Sequence, residues 1–204
     1  MLEVVSSVDP LTVRDRVLAA AYTCVTRFGL AKTTLEDVVK ESGVSRATIY
    51  RHFPGGRDEL LQATVAWEIA RYFNELADHV RNAPDLEHML EDGLVFARRS
   101  VQEHQVLQKM LVTEPERLLP LLTTEANKTL PFIAAFLHPY LQREARAGRL
   151  RDGVDIDRAA DYLARGILAL IGEAGRWDFA DPAQVRDVVR HELLGGITLR
   201  EAGH

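Results

Sequence analysis

The sequence predicts an all-α protein, with a small N-terminal head of three helices followed by a larger helical body. Apolar residues recur at helical spacing from Thr12 onward, and nothing between Thr12 and His191 alternates as a strand does. Residues that start helices precede these apolar runs, and glycine or proline follows them. We therefore expect a head over residues 10–56 and a body over residues 57–204.

The first helix is predicted to start at Thr12, which has capping-box spacing with Asp15, and to end at Gly29. The single cysteine, Cys24, falls on the apolar face of this helix, which predicts a buried structural thiol. Residues 1–9 lack periodicity and are predicted to be a disordered tail.

The second helix is predicted to start at Thr33 or Thr34. Each threonine precedes an acid by the three positions of a capping box, Glu36 for the first and Asp37 for the second. The helix ends at Gly43, in a left-handed conformation that glycine adopts at little cost.

The third helix is predicted to start after Ser45, its cap. Val44 fills the space between the two short helices, and Ile49 and Phe53 point inward with either Ala47 or Thr48. Two capped helices joined by a glycine turn form a helix-turn-helix, which predicts a DNA-binding protein.

The polar residues around this motif are the predicted DNA contacts. From Ser45 through Arg57 there are three arginines and no acid. Arg46 is predicted to read a base and Ala47 to meet a thymine methyl, while hydroxyls, an imidazole and helix N-termini contact phosphates. The full predicted set is Thr33, Thr34, Ser45, Arg46, Ala47, Thr48, Tyr50, Arg51, His52 and Arg57.

The run TTLEDVVKESGVSRATIYRHF resembles the DNA-binding domain of tetracycline-repressor-type (TetR-family) transcriptional regulators. The matching features are Thr33-Thr34, Gly43-Val44-Ser45 and Tyr50-Arg51-His52-Phe53, and the resemblance covers about the first sixty residues. It implies a helical C-terminal body that binds a small effector, and a dimer that binds a palindromic operator.

Two features depart from that family pattern. Val39 and Ser42 stand where the family has small residues, commonly alanine, so the helix pair is expected to sit slightly further apart. Pro54-Gly55-Gly56 intervenes where the family places a lysine. Either Arg57 takes the role of that lysine at a phosphate, or the N–H groups of Gly55 and Gly56 do so.

The body is predicted to contain several long helices. The first covers residues 57–81, the second residues 85–103, and a shorter one residues 106–111, with a short helix or turn around residues 117–122. Another starts at Thr123 or Thr124 and ends near Ala147, bent at two internal prolines. Asp155 or Asp157 caps the next, and Asp181 with Pro182 starts the last.

Aromatic residues in the body suggest an effector cavity as well as ordinary core packing. Phe132, Phe136 and Tyr140 recur every four positions along the proline-containing helix. With other aromatic and polar residues they form a predicted binding set for a largely apolar effector: Trp67, Phe96, His104, Met110, Phe132, Phe136, Tyr140, Tyr162 and Arg165.

Small residues at 166, 169 and 172 suggest either tight packing within the body or the seam of a homodimer. The family resemblance favours the dimer, in which this helix and the last one meet their symmetry mates. The predicted interface residues are Leu163, Gly166, Ile167, Ala169, Leu170, Val185, Val189 and Leu193.

Composition and charge limit the other functions. Hydrophobic residues make up 47% and charged residues 27% of 204, and there is no membrane-length apolar run and no secretion signal, so we expect a cytoplasmic protein without a membrane partner. Residues 1–60 hold eight basic and eight acidic residues, whereas the rest hold 17 and 22. An acidic body and a locally basic head favour oriented binding to DNA.

Three functions therefore compete: a ligand-responsive repressor, a ligand-blind architectural DNA-binding protein, and a helical-bundle metalloenzyme. The pairs Glu75/His79 and Asp85/His88 lie on single helix faces, but a di-iron bundle needs two Glu-x-x-His helices and two more glutamates. We find no catalytic motif and expect neither a metal nor another cofactor. The repressor is the leading hypothesis.

Overall fold

The structure, a computed structural model, describes residues 12–104, 108, 126–172 and 175–199. The chain divides into two compact units, Met1–Tyr72 and Phe73–His204, which we call the head and the body. The division lies sixteen residues later than residue 56, the end of the head expected from the sequence. The reason is that Leu60, Ala63 and Trp67, on the fourth helix, pack with the core of the head.

The head contains helices α1 (Val13–Phe28), α2 (Leu35–Ser42) and α3 (Arg46–His52) and the first part of α4 (Gly56–His79). Its core includes Val17, Val38, Ile49 and Phe53. Cys24 is buried as predicted, and burial raises the pKa of its thiol.

Side-chain caps fix the ends of the short helices. Thr34 rather than Thr33 starts α2, and it forms a complete capping box with Asp37. Gly43 has φ 66°, the predicted left-handed conformation. Ser45 caps α3 by accepting a hydrogen bond from the backbone N–H of Thr48.

The body contains the end of α4, then α5 (Leu86–Glu103), α6 (Ala126–Arg146), α7 (Ile156–Gly172) and α8 (Pro182–Val188), which continues as a π-helical segment (Val189–Leu193). Asp85 caps α5. At the start of α7 it is Asp155, not Asp157, whose carboxylate accepts a hydrogen bond from the backbone N–H of Arg158. Asp181 caps α8 with Pro182 in its first turn, as predicted.

The body core joins segments that are far apart in the chain. Leu90, Leu137, Leu163 and Val188 are each at most 3% exposed. An isolated antiparallel bridge joins Leu150 to Thr198. Arg149, which precedes Leu150 in the chain, donates two hydrogen bonds to the buried carboxylate of Glu144, at 2.6 and 2.8 Å.

Several predictions lie outside the described residues. They are the tail at residues 1–9, most of the helix at residues 106–111, the segment at residues 117–122, the start of a helix at Thr123 or Thr124, and Met110.

Candidate nucleic-acid interface

The exposed face of α3 presents the side chains expected at a DNA surface. Arg46, Ala47, Tyr50 and Arg51 are exposed, whereas Ile49 is 1% exposed on the opposite face. Since Ile49 is held in the core and the helix is capped by Ser45, the direction of the exposed face is fixed. This orientation is the one that the helical spacing predicts.

Arg46 is paired with Tyr50 one turn further along α3. Its guanidinium carbon lies 5.6 Å from the centre of the tyrosine ring. A hydrogen bond with Tyr50 raises the pKa of Arg46. A Cβ on Gly56 would come within 3.5 Å of the same ring, so the tyrosine rests close to the backbone at the start of α4. The arginine is thereby supported while it remains exposed.

The capping hydroxyls are held in local hydrogen bonds. Ser45 donates to the Thr48 hydroxyl at 3.0 Å, and Thr34 donates to Asp37 at 2.6 Å. Hydrogen bonds from the Thr34 hydroxyl and backbone N–H lower the pKa of Asp37. The first turn of α2 is therefore acidic, whereas that of α3 contains no acid. By charge, the start of α3 is the better site for a phosphate.

Two members of the predicted set have their polar groups bonded to the backbone of the head. Thr33 is 1% exposed, and its hydroxyl donates to the carbonyl of Gly29 at 2.8 Å. The guanidinium of Arg57 donates to the carbonyls of Thr33 and Leu30, both at 2.7 Å. Both side chains are used inside the head, so neither fits the predicted contact with a phosphate.

The N–H groups of Gly55 and Gly56, the alternative phosphate contacts, also have hydrogen-bond partners within the head. The N–H of Gly55 donates to the Glu59 carboxylate at 2.6 Å, and that of Gly56 donates to the Phe53 carbonyl at 2.9 Å. Glu59 has no role in the sequence-based predictions, although an acid in the first turn of a helix is a known signal for such a contact.

His52 and Thr48 are half-buried. The His52 ring lies 6.4 Å from that of Phe53. Both side chains keep part of their surface exposed, so they stay in the candidate set with Thr34, Ser45, Arg46, Ala47, Tyr50 and Arg51.

The aromatic residues of the body are only partly brought together. Phe136 lies 5.6 Å from Phe73 and 5.5 Å from Tyr140, between ring centres, and forms a three-ring group. Phe96 lies against His79 instead, at 5.0 Å, and Trp67 packs against the core of the head.

The polar members of the predicted effector set have other surroundings. The Tyr162 hydroxyl donates to the carbonyl of Glu192, in the π-helical segment, at 2.6 Å. Arg165 pairs with Asp161 at 2.6 Å, and His104 lies at the end of α5. Phe132 is 58% exposed.

A surface groove of about 740 Å³ lies between α6 and α7. None of the predicted effector residues lines it. Its lining residues are Pro131, Ala134, Ala135, His138, Pro139, Asp157, Arg158, Ala160 and Asp161.

The predicted dimer residues divide by burial. A Cβ on Gly166 would meet Leu193 Cδ2 at 2.7 Å, so this glycine packs within the body. Ala169 is exposed, and Ile167 and Leu170 are half-buried. The remaining four are covered by their own chain and cannot contribute much to a seam: Leu163, Val185, Val189 and Leu193.

Within the described ranges, no group of three or more His, Cys, Asp or Glu side chains is placed to hold a metal ion. None of the helices in the described part of the chain is long and apolar enough to cross a membrane.

Comparison with known proteins agrees with this geometry. Residues 17–64 match the family model for bacterial regulatory proteins of the tetR family. The transcriptional regulator LmrA of Bacillus subtilis is 32% identical over 68 residues, which are 33% of this chain and 32% of LmrA, so the chain spans about a third of the length of that relative. The transcriptional repressor AcnR of Corynebacterium diphtheriae is 27% identical over 197 residues, 94% of this chain and 97% of AcnR.

Solved structures show the same fold over most of the chain. SmeT, the repressor of a multidrug efflux pump in Stenotrophomonas maltophilia, has a TM-score of 0.58 at 23% identity, with 94% of this chain and 93% of SmeT covered. SmeT has also been solved in complex with triclosan, and that structure matches with a TM-score of 0.55 at 22% identity, covering 94% of both chains.

Proposed function

We propose that this chain, a TetR-type regulator by its head domain and its fold, is a repressor that a small effector releases from a palindromic operator. The observation that carries the proposal is the exposed face of α3, where Arg46, Ala47, Tyr50 and Arg51 stand on a helix fixed by a cap and a buried core residue. We place the protein in the cytoplasm, where its operator DNA would lie.

Within the proposed interface, Arg46 reads a base and Ala47 meets a thymine methyl. Arg51 contacts a phosphate, as do the hydroxyls and the imidazole on and around α3. Thr33 and Arg57 are left out because their polar groups are used within the head.

The first experiment selects bound duplexes from a random DNA pool and titrates the recovered sequence. We expect a palindrome whose affinity falls steeply with salt, because counterions are released from the phosphates. Recovery of no preferred sequence would leave only an architectural role.

Arg46→Ala then tests the base reader. We expect the binding free energy for the selected palindrome to weaken by about 1–3 kcal/mol per head, because a bidentate arginine–guanine contact contributes about that much discrimination. Binding to a scrambled duplex should change little. Equal losses on both duplexes would make Arg46 a phosphate contact.

The proposed assembly is a homodimer formed through α7 and α8. The buried residues on these helices support the fold, so the seam is assigned to exposed and half-buried positions around Ala169. Two heads then meet half-sites one helical turn apart, at about 34 Å.

The proposed effector is a largely apolar molecule bound near the ring group of Phe73, Phe136 and Tyr140. The SmeT–triclosan complex supports a small aromatic molecule as the kind of ligand to test. A coupling of about 1–3 kcal/mol between effector and operator would lower DNA affinity 5- to 150-fold.

A panel of apolar aromatic molecules titrated against the protein–DNA complex tests this switch. Phe136→Ala should raise the concentration that releases DNA, because it removes the central ring of the group. If no molecule releases DNA, the ligand-blind alternative replaces the repressor. If release is unchanged in Phe136→Ala, the effector binds elsewhere.

A further inference from the structure

The contacts of Arg57 point to a role that the sequence pattern hides. Its Nε donates to the carbonyl of Thr33 at 2.7 Å, and its Nη2 donates to Leu30 at 2.7 Å and Ala31 at 3.1 Å. Its Nη1 donates to Asp58 at 3.0 Å. These four hydrogen bonds use four of the five N–H groups that a guanidinium carries.

The three carbonyls belong to one short segment, residues 30–33, that joins α1 to α2. The other side of this segment is fixed by Thr33, whose hydroxyl and backbone N–H both donate to the Gly29 carbonyl, at 2.8 and 3.2 Å. Thr34, the next residue, is the cap of α2. The segment therefore sets where α2 begins.

The surroundings of Arg57 do not favour a phosphate. Asp58 is bonded to its guanidinium, and the Glu59 carboxylate accepts from Gly55 at the preceding turn. An anion arriving there would meet two carboxylates. Arg57 is also committed to acceptors that it would have to release.

We propose that Arg57 is a positioning residue of the head: it ties the α1–α2 segment to the start of α4 and so fixes the helix-turn-helix for DNA without touching DNA. This inference rests on the proposed DNA-binding function and adds a determinant to it. The planar guanidinium suits the task because its donors diverge toward several carbonyls at once, whereas a lysine ammonium is a compact charge.

The test compares Arg57→Gln and Arg57→Lys with Arg51→Gln, a matched change on the exposed face of α3. Affinity for the selected palindrome is measured over a series of KCl concentrations. We expect both Arg57 variants to bind about tenfold more weakly, with the slope of log K against log [KCl] unchanged. Arg51→Gln should flatten that slope by about 0.9 per head, the value for one lost phosphate contact.

The lysine variant separates the two roles of Arg57. A phosphate contact would survive in Arg57→Lys, with near-normal affinity, and Arg57→Gln would flatten the slope. Either result overturns the proposal. If Arg57 instead acts as a clamp, by which we mean its hydrogen bonds to the carbonyls of residues 30–33, both variants should weaken DNA binding equally.

Hydrogen exchange of the DNA-free protein gives a readout that does not depend on operator binding. The Thr33 amide, which is bonded to Gly29, should exchange faster in both Arg57 variants and at the normal rate in Arg51→Gln. Unchanged exchange in the Arg57 variants overturns the clamp even if wild-type protein binds no DNA. Faster exchange without DNA binding by the wild type would overturn the proposed function and leave the clamp standing.

Discussion

The contacts inside the head and the contacts inside the body differ in how far apart along the chain their residues lie. In the head, most polar contacts join residues three or four positions apart, as in Thr34–Asp37 and Ser45–Thr48. In the body, decisive contacts cross 30 to 103 positions, as in Tyr162–Glu192 and Arg190–Glu87. Local sequence is thus enough to orient the face of a short helix in the head, whereas a face in the body depends on what the rest of the chain brings to it.

The largest effect is expected at the proposed dimer seam of the body. Ala169→Glu should give monomers, because it places a charge in the proposed seam. The fold of each subunit, including the head, should stay intact, because Ala169 is exposed on its own chain. Operator affinity should fall roughly 100-fold or more, since two linked heads gain that much over one. Sedimentation and DNA titration measure this, with Ala145→Glu, an exposed alanine on α6, as control. A variant that stays dimeric places the seam elsewhere.

A smaller effect is expected from the buried carboxylate of Glu144 in the body, which Arg149, five positions later, binds with two hydrogen bonds. Arg149→Met leaves the Glu144 carboxylate, 3% exposed, without its two hydrogen bonds. We expect the free energy of unfolding to fall by about 2 kcal/mol, less than is usual for a broken buried ion pair. The reason is that the Nε of Arg143 lies 3.8 Å from the Glu144 carboxylate and still offsets part of its charge. Urea unfolding followed by Trp177 fluorescence in a Trp67→Phe background reports the body alone.

Glu144→Gln is the matched variant for that experiment. Glu144→Gln should lower the free energy of unfolding by less than Arg149→Met does. The Arg149 side chain is 48% exposed, so water can solvate its guanidinium when the carboxylate is removed. A larger cost for Glu144→Gln would mean that the carboxylate has a further partner.

Two glycines of the body differ in the space around them. Gly93→Ala should stabilise the body by about 1 kcal/mol, since alanine favours a helix and its Cβ would meet Leu76 and Val80 at an ordinary 3.7 Å. Gly166→Ala should not stabilise the body, because its Cβ would clash with Leu193 Cδ2 at 2.7 Å. Equal stabilisation in the two variants would show that Leu193 moves freely.

The smallest effect concerns the head at acid pH. Thr34 lowers the pKa of Asp37 in the folded state, so this carboxylate adds stability above its unfolded pKa of about 3.9, and the contribution is lost as pH falls through the folded pKa. Asp37→Asn should reduce the acid sensitivity of the head, followed by Trp67 fluorescence in a Trp177→Phe background. Glu36→Gln, exposed in the same turn, is the control. Identical acid transitions in the wild type and Asp37→Asn would contradict this.

The sequence predicted the fold and the exposed face of α3 because both follow from spacing and capping. It did not anticipate the hydrogen bonds of Arg57, because the carbonyls that accept them lie 24 to 27 positions away in the chain. The seam residues failed similarly: spacing put Leu163 and Leu193 on apolar faces but could not tell an internal neighbour from a partner subunit.

The clamp on residues 30–33 acts on main-chain oxygens, which every amino acid supplies. Side chains such as that of Lys32, which is exposed, can therefore change between related proteins without altering the frame that holds them. Such a segment can drift in sequence, and with it the head could acquire or lose contacts to flanking DNA while its architecture is inherited intact.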